Sequence, residues 1–189
     1  LFRSVDAHVT TVLFNDQYKM LYNRRELKDV SKMTDKDYTP GGMTALLDAV
    51  GRTIHKMDMV AGIHRKDKGN KVLFVIITDG EENDSKEYTY ADVKKLIKDR
   101  QENAGWEFIF LGANIDAAAA AENLGIDRDR AVKYKNTGSG VRANFKAVAE
   151  LSDSLAKSGR VSDEWKETVE KDEDDAADKQ SAAVTLHRR

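Results

Sequence analysis

The longest unbroken apolar run in this chain is Val72–Ile77, set within Lys71–Thr78 and ended by Asp79-Gly80. A strand apolar on both faces belongs in the middle of a sheet covered by helices on both sides. Trp106–Leu111 has the same character, and Val9–Phe14 is a third strand rich in Val, Thr and Phe. Beyond Asn15-Asp16, the alternation of Tyr18, Met20 and Tyr22 predicts a hairpin partner at the sheet edge. Ala131–Tyr134 is a shorter strand. Between these runs the period changes to that of helices. Leu46, Leu47, Val50, Ile54 and Met57 mark one helix from Thr44 to about Met57. Thr89 caps the next, with Asp92 at the third position and Val93, Leu96 and Ile97 as its buried stripe. Ile115–Leu124 ends at Gly125, a usual residue beyond a helix C-terminus. Val141, Phe145, Val148, Leu151 and Leu155 are expected to form the apolar face of the last long helix. Alternating strands and helices predict a Rossmann-like doubly wound α/β fold: a mostly parallel sheet, helices on both faces and an antiparallel edge strand.

After about Gly159 the pattern fades. Val161–Arg189 holds nine acidic and five basic residues, and Glu170–Asp175 is almost wholly charged. Residues 159–189 are therefore expected to be a mobile charged tail that buries little, with a short helix around Ser162–Lys171 in which Trp165 pins one turn to the body. Residues 1–158 form the domain proper. The full 189 residues suit one domain with extra length at an end.

Charge narrows the partners. A net charge of −2 argues against a general nucleic-acid binder, and basic runs such as His64-Arg65-Lys66 sit among acidic residues. With no cysteine there is no disulfide framework or thiolate metal site. No apolar stretch approaches the roughly 18 residues of a membrane span. The expected location is the cytoplasm or a phage particle, with secretion left open. An enzyme has little support: there is no Gly-x-Ser-x-Gly elbow, and His8, His55, His64 and His187 show no metal-ligand spacing. His55 reads as a surface or boundary residue on its helix, and Asn136–Gly140 as the cap of the last helix.

Ligands of open α/β sheets bind beyond the carboxyl ends of the parallel strands. Two loops are expected there, Thr39-Pro40-Gly41-Gly42-Met43-Thr44 and Thr78-Asp79-Gly80-Glu81-Glu82-Asn83-Asp84. Thr hydroxyls and Asp carboxylates are hard oxygen donors suited to Mg²⁺ or Mn²⁺. Alone, each feature is ordinary: Asp-Gly after a strand is a turn, Thr before a helix an N-cap, and an acidic cluster a solvated loop. Taken in order they carry more. Gly41–Gly51 (Gly-Gly-Met-Thr-Ala-Leu-Leu-Asp-Ala-Val-Gly) followed by Val75–Asn83 (Val-Ile-Ile-Thr-Asp-Gly-Glu-Glu-Asn) resembles the third- and fourth-strand region of von Willebrand factor type A domains. Trp106–Asn114 resembles the next strand in bacterial and phage members, and Val9–Asp16 their second strand. The similarity covers roughly residues 1–155.

The resemblance implies a protein-interaction module, for adhesion or assembly, that is not an enzyme. It binds an acidic side chain of a protein partner through a divalent ion, Mg²⁺ or else Mn²⁺ or Ca²⁺. Thr44 and Asp79 are the implied ligands, and Gly42, Met43, Gly80 and Glu81 the implied partner-binding rim. The family's first motif, Asp-x-Ser-x-Ser after strand one, occurs nowhere in this chain, and Ser152-Asp153-Ser154 does not match it. The metal is expected only where that motif is supplied, so the domain is read as N-terminally incomplete, its natural form extending upstream by a few tens of residues. Two further roles stay open: an accessory domain of an ATPase- or chelatase-like machine, and a metal-free structural subunit of a bacterial or phage assembly.

Overall fold

The computed structural model describes residues 7–34, 36–39, 41–60, 71–161 and 164–170. Pro40, the His64-Arg65-Lys66 run, Ser162 and the tail from Lys171 onward lie outside the described residues. The protein is a mixed α/β chain that divides into two compact units, Leu1–Asn70 with Glu81–Gly105, and Lys71–Gly80 with Trp106–Arg189.

The first unit begins with an antiparallel hairpin of β1 (His8–Phe14) and β2 (Tyr18–Glu26). Its register slips twice, between Val9 and Thr11 and between Thr11 and Val12. Arg24 there adopts φ 49, and its N–H donates to Thr10 Oγ1. An extra residue in a left-handed conformation is how a strand absorbs such a bulge. Helix α1 (Leu46–Asp58) buries Leu46, Leu47, Val50 and Ile54, as its spacing predicts, while Met57 is half-buried. Helix α2 (Tyr90–Asp99) opens with a complete capping box between Thr89 and Asp92, and Val93 and Ile97 are fully buried. It runs into a π-helical turn, Arg100–Ala104, which Gly105 ends in the left-handed region. Arg100 reaches back to the last residue of α1, its Nη2 donating to Asp58 Oδ2 at 2.7 Å.

The second unit is built on a three-stranded parallel sheet in the order β3 (Leu73–Thr78), β4 (Glu107–Gly112), β5 (Ala131–Lys133). The middle strand is β4, with five of its six residues buried; β3, the more apolar run, stands at the edge of this sheet. This departs from the expected central place for β3. Within the unit β3 has a neighbour on one side only, and its residues are mostly half-buried. Helix α3 (Ala117–Leu124) is capped by Asp116, whose carboxylate accepts the Ala119 N–H, and ends at Gly125 with φ 84. Helix α4 (Gly138–Ser158) is capped by Thr137.

Two expectations about this unit are corrected. The buried stripe of α4 is Gly140, Asn144, Ala147, Leu151 and Leu155, whereas Val141 and Phe145 are 37 % and 55 % exposed. Leu151 and Leu155 are buried as expected, and only in the first turns is the buried face shifted by one residue. Gly140 fixes that shift, because a Cβ there would run into the Lys135 carbonyl. The other concerns only how much of the charged C-terminal segment docks, since Trp165 is expected to pin one turn of a short helix there. Val161, Trp165 and Val169 are all buried and join Ile109, Leu111, Val132, Tyr134 and Leu151 in one core cluster. Residues 165–170 are helical, so Trp165 and Val169 share a face. Val161 and Val169 extend the expected Trp165 contact by one turn on either side.

Two consequences can be measured. Trp165→Ala removes a side chain that is 2 % exposed and should cost roughly 3–5 kcal/mol in urea unfolding; a loss under 1 kcal/mol would take Trp165 out of the core. Gly51→Ala tests packing in the first unit. Alanine normally stabilises a helix interior over glycine by about 1 kcal/mol, but here its Cβ would stand 2.5 Å from the Tyr88 ring. The melting temperature should fall, and a rise would show that Tyr88 gives way.

Candidate functional site

The loop Gly41–Thr44 enters α1 between two clamps. On one side Asn15 Nδ2 donates to the Gly41 carbonyl at 2.9 Å, and the Ala45 N–H donates to the Asn15 carbonyl at 2.8 Å. Gly41 and Gly42 take φ of 132 and 89, a region closed to most side chains. At Gly42 a Cβ would also lie 2.5 Å from Asp16 Oδ1. On the other side the Thr44 N–H donates to Asn83 Oδ1 at 2.7 Å, and the Thr44 carbonyl accepts the N–H groups of Asn83 and Asp84. The Thr44 backbone is fixed from both directions, while its hydroxyl makes no hydrogen bond among the described residues. It does not cap α1.

The cap comes from the acidic loop. Glu82 Oε2 accepts the Leu47 N–H at 2.9 Å and the Ser85 hydroxyl at 2.7 Å, and Ser85 Oγ accepts the Asp48 N–H. Glu82 Oε1 accepts the N–H groups of Asp84 and Ser85. Asp48, in the first turn of α1, answers in kind. It is 6 % exposed and accepts the backbone N–H groups of Lys86, Glu87 and Tyr88 at 2.9–3.0 Å. Burial pushes its carboxyl up, but these three donors outweigh burial and hold it below the usual carboxylate range. Glu82, in the acidic run after β3, is thus scaffold.

Glu81, Gly42 and Met43 are exposed, Met43 by 49 %, and Gly80 is half-buried. Thr44 and Asp79 belong to different units. In the second unit Asp79 is exposed and its Oδ2 accepts from Asn136 Nδ2 at 3.1 Å. The turn behind it closes on Thr78, whose hydroxyl donates to the Gly80 carbonyl and accepts the Gly80 N–H. A divalent ion such as Mg²⁺ takes about six oxygen ligands. Of the implied set this chain supplies Thr44 and Asp79, and among the described residues no group of three or more His, Cys, Asp or Glu side chains could hold an ion. These residues do not by themselves fit a bound divalent cation.

The first unit also has a cleft of about 130 Å³ between the end of the hairpin, α1 and residues 84–87. Phe14, Tyr18, Ala45 and Ala49 form its apolar lining. Arg52 crosses it to Glu87 in a two-pronged pair, Nε to Oε2 at 2.7 Å and Nη2 to Oε1 at 2.6 Å. Neither Asp16 nor Asp48 was singled out in the sequence. The one signal was an aspartate inside the apolar run Ala45–Val50, where only a well-bonded carboxylate can stay. His55 is exposed, as expected, and its Nδ1 lies 2.7 Å from the Tyr88 hydroxyl. Among the described residues no helix is long and apolar enough to cross a membrane. Comparison with protein-family models, curated proteins and solved structures finds no match to this chain.

The Asp48 linkage has a definite sign. Its folded-state pKa is lowered, so its stabilisation is full above the unfolded value, about 3.9, and is lost as pH falls through the lower folded value. Asp48→Ala should cost on the order of 3 kcal/mol at neutral pH, since it strands three N–H groups. Asp48→Asn should flatten the acid limb of stability against pH. A wild-type acid limb in that variant would assign the limb to another group.

Proposed function

We propose that this chain is a non-enzymatic protein-interaction module of the von Willebrand A type, used in adhesion or assembly, and that the loop before α1 faces the partner. The carrying observation is the division of labour in that loop. Backbone groups and the amides of Asn15 and Asn83 hold it, while the Thr44 hydroxyl and the Met43 side chain are left unspent. Interfaces favour such pre-organised surfaces, because little ordering entropy is lost on binding. The resemblance of Gly41–Gly51 and Val75–Asn83 supports the family reading, and the parallel order of β3, β4 and β5 supports its doubly wound sheet.

Two versions of the contact belong to this reading. In the first, a divalent ion bound with Thr44 and Asp79 among its ligands takes an acidic side chain of the partner. In the second, the module works without metal as a structural subunit.

Crosslinked capture from the source cell, with wild type and Met43→Asp side by side, tests the interaction reading. A partner retained by wild type and lost from the variant, at unchanged melting temperature, is the expected result. Equal capture by both removes this loop from the contact. Repeating the capture in EDTA, with Thr44→Ala and Asp79→Ala, separates the versions: loss in all three supports the ion, and retention in all three the metal-free module.

A further inference from the structure

We propose that the cleft of the first unit receives a basic side chain, an alkyl stem ending in a cation, presented by a protein partner. The inference rests on the interaction-module reading for the partner's existence, but the binding chemistry is read from the cleft itself. Its volume of about 130 Å³ is close to the roughly 150 Å³ that admits a benzene ring, enough for a short alkyl stem. Phe14, Tyr18, Ala45 and Ala49 offer that stem an apolar wall.

Charge decides the head group. Four carboxylates line the cleft, Asp16, Asp48, Asp84 and Glu87, against the two cations Arg52 and Lys86. Glu87 is matched by Arg52 in the two-pronged pair. Lys86 stands 3.6 Å from Asp84 with its side chain 78 % exposed. Both cations are therefore engaged with carboxylates, and an anion would find neither free. Asp48 keeps its negative charge, bonded only to backbone N–H groups on the wall formed by Lys86–Tyr88. Asp16 has no ion pair or hydrogen bond among the described residues. Asp16 is exposed, and its Oδ1 lies in the space that a side chain at Gly42 would fill. A carboxylate without a counter-ion among the described residues, beside a cleft with Phe14, Tyr18, Ala45 and Ala49 in its lining, is complementary to lysine or arginine.

The test is an NMR titration of the full chain with Nα-acetyl-lysine methylamide, and with the norleucine analogue that keeps the stem and lacks the charge. Saturable shifts confined to the amides around Phe14, Tyr18 and Ala45 are expected for the lysine probe, weakening with salt. The norleucine probe should bind at least about tenfold more weakly, and Asp16→Asn should weaken the lysine probe about fivefold, as for loss of one exposed ion pair. Equal binding of the two probes, an unaffected Asp16→Asn variant, or no shifts in the cleft would each overturn the proposal. None of these results depends on Met43, so the cleft can fail while the loop contact stands, and the reverse.

Discussion

In the first unit everything around α1 depends on two carboxylates facing each other's backbones. Helix α1 starts at Leu46, with Ala45 as a cap that has no side chain to give. Its first N–H groups would be orphans, each costly to leave unpaired once buried. Glu82 and Ser85 accept two of them from outside the helix. In return Asp48 accepts three N–H groups from residues 86–88, which otherwise would need water. The exchange is reciprocal and non-local: the helix is capped by the loop, and the loop is folded by the helix. Removing either carboxylate leaves one side of that exchange without its acceptor.

How much of this could be read in advance follows from the range of each interaction. The capping box of Thr89 and Asp92 and the Gly125 stop are local, and each sits where the sequence predicts. So do the strands, since an apolar run has few alternatives to burial. Pairings between distant segments were not legible. Nothing near Thr44 announces that Glu82 takes over its capping role, or that Asn83 holds its backbone. The site prediction placed Thr44 at the loop–helix junction, where it is, but Asp16 and Asp48 escaped it, because their meaning comes from Gly42 and Tyr88.

The second unit shows the opposite difficulty, in which local composition misleads. Residues 161–170 include charged positions, so mean hydropathy hides Val161, Trp165 and Val169, yet their spacing of four brings all three into the core. On α4 the choice of buried face was decided by Gly140, not by the larger apolar residues beside it. The outcome leaves Phe145 outside and Asn144 inside, 1 % exposed, with neither amide atom hydrogen-bonded among the described residues. Burying an amide unpaired costs roughly 1–3 kcal/mol. The next turns of the same helix bury Ala147, Leu151 and Leu155. Backbone clearance at one glycine therefore outranks the hydrophobicity of two neighbours.

The same accounting of groups bears on what the acidic loop can recognise. A carboxylate attracts an outside ligand in proportion to the lone pairs and charge it has left. Glu82 accepts four hydrogen bonds, the full complement of a carboxylate, and is closed to metal or partner without partial unfolding of the α1 cap. Asp48 accepts three, and Glu87 is neutralised by Arg52. Asp16 and Asp79 are different: the first has no partner among the described residues, and the second accepts one weakly polar donor from Asn136. A sequence reading that counts acids treats these five alike. Once their bonds are assigned, Asp16 and Asp79 are the two of these five with most capacity left for an outside ligand, while Glu82 and Asp48 hold the fold together.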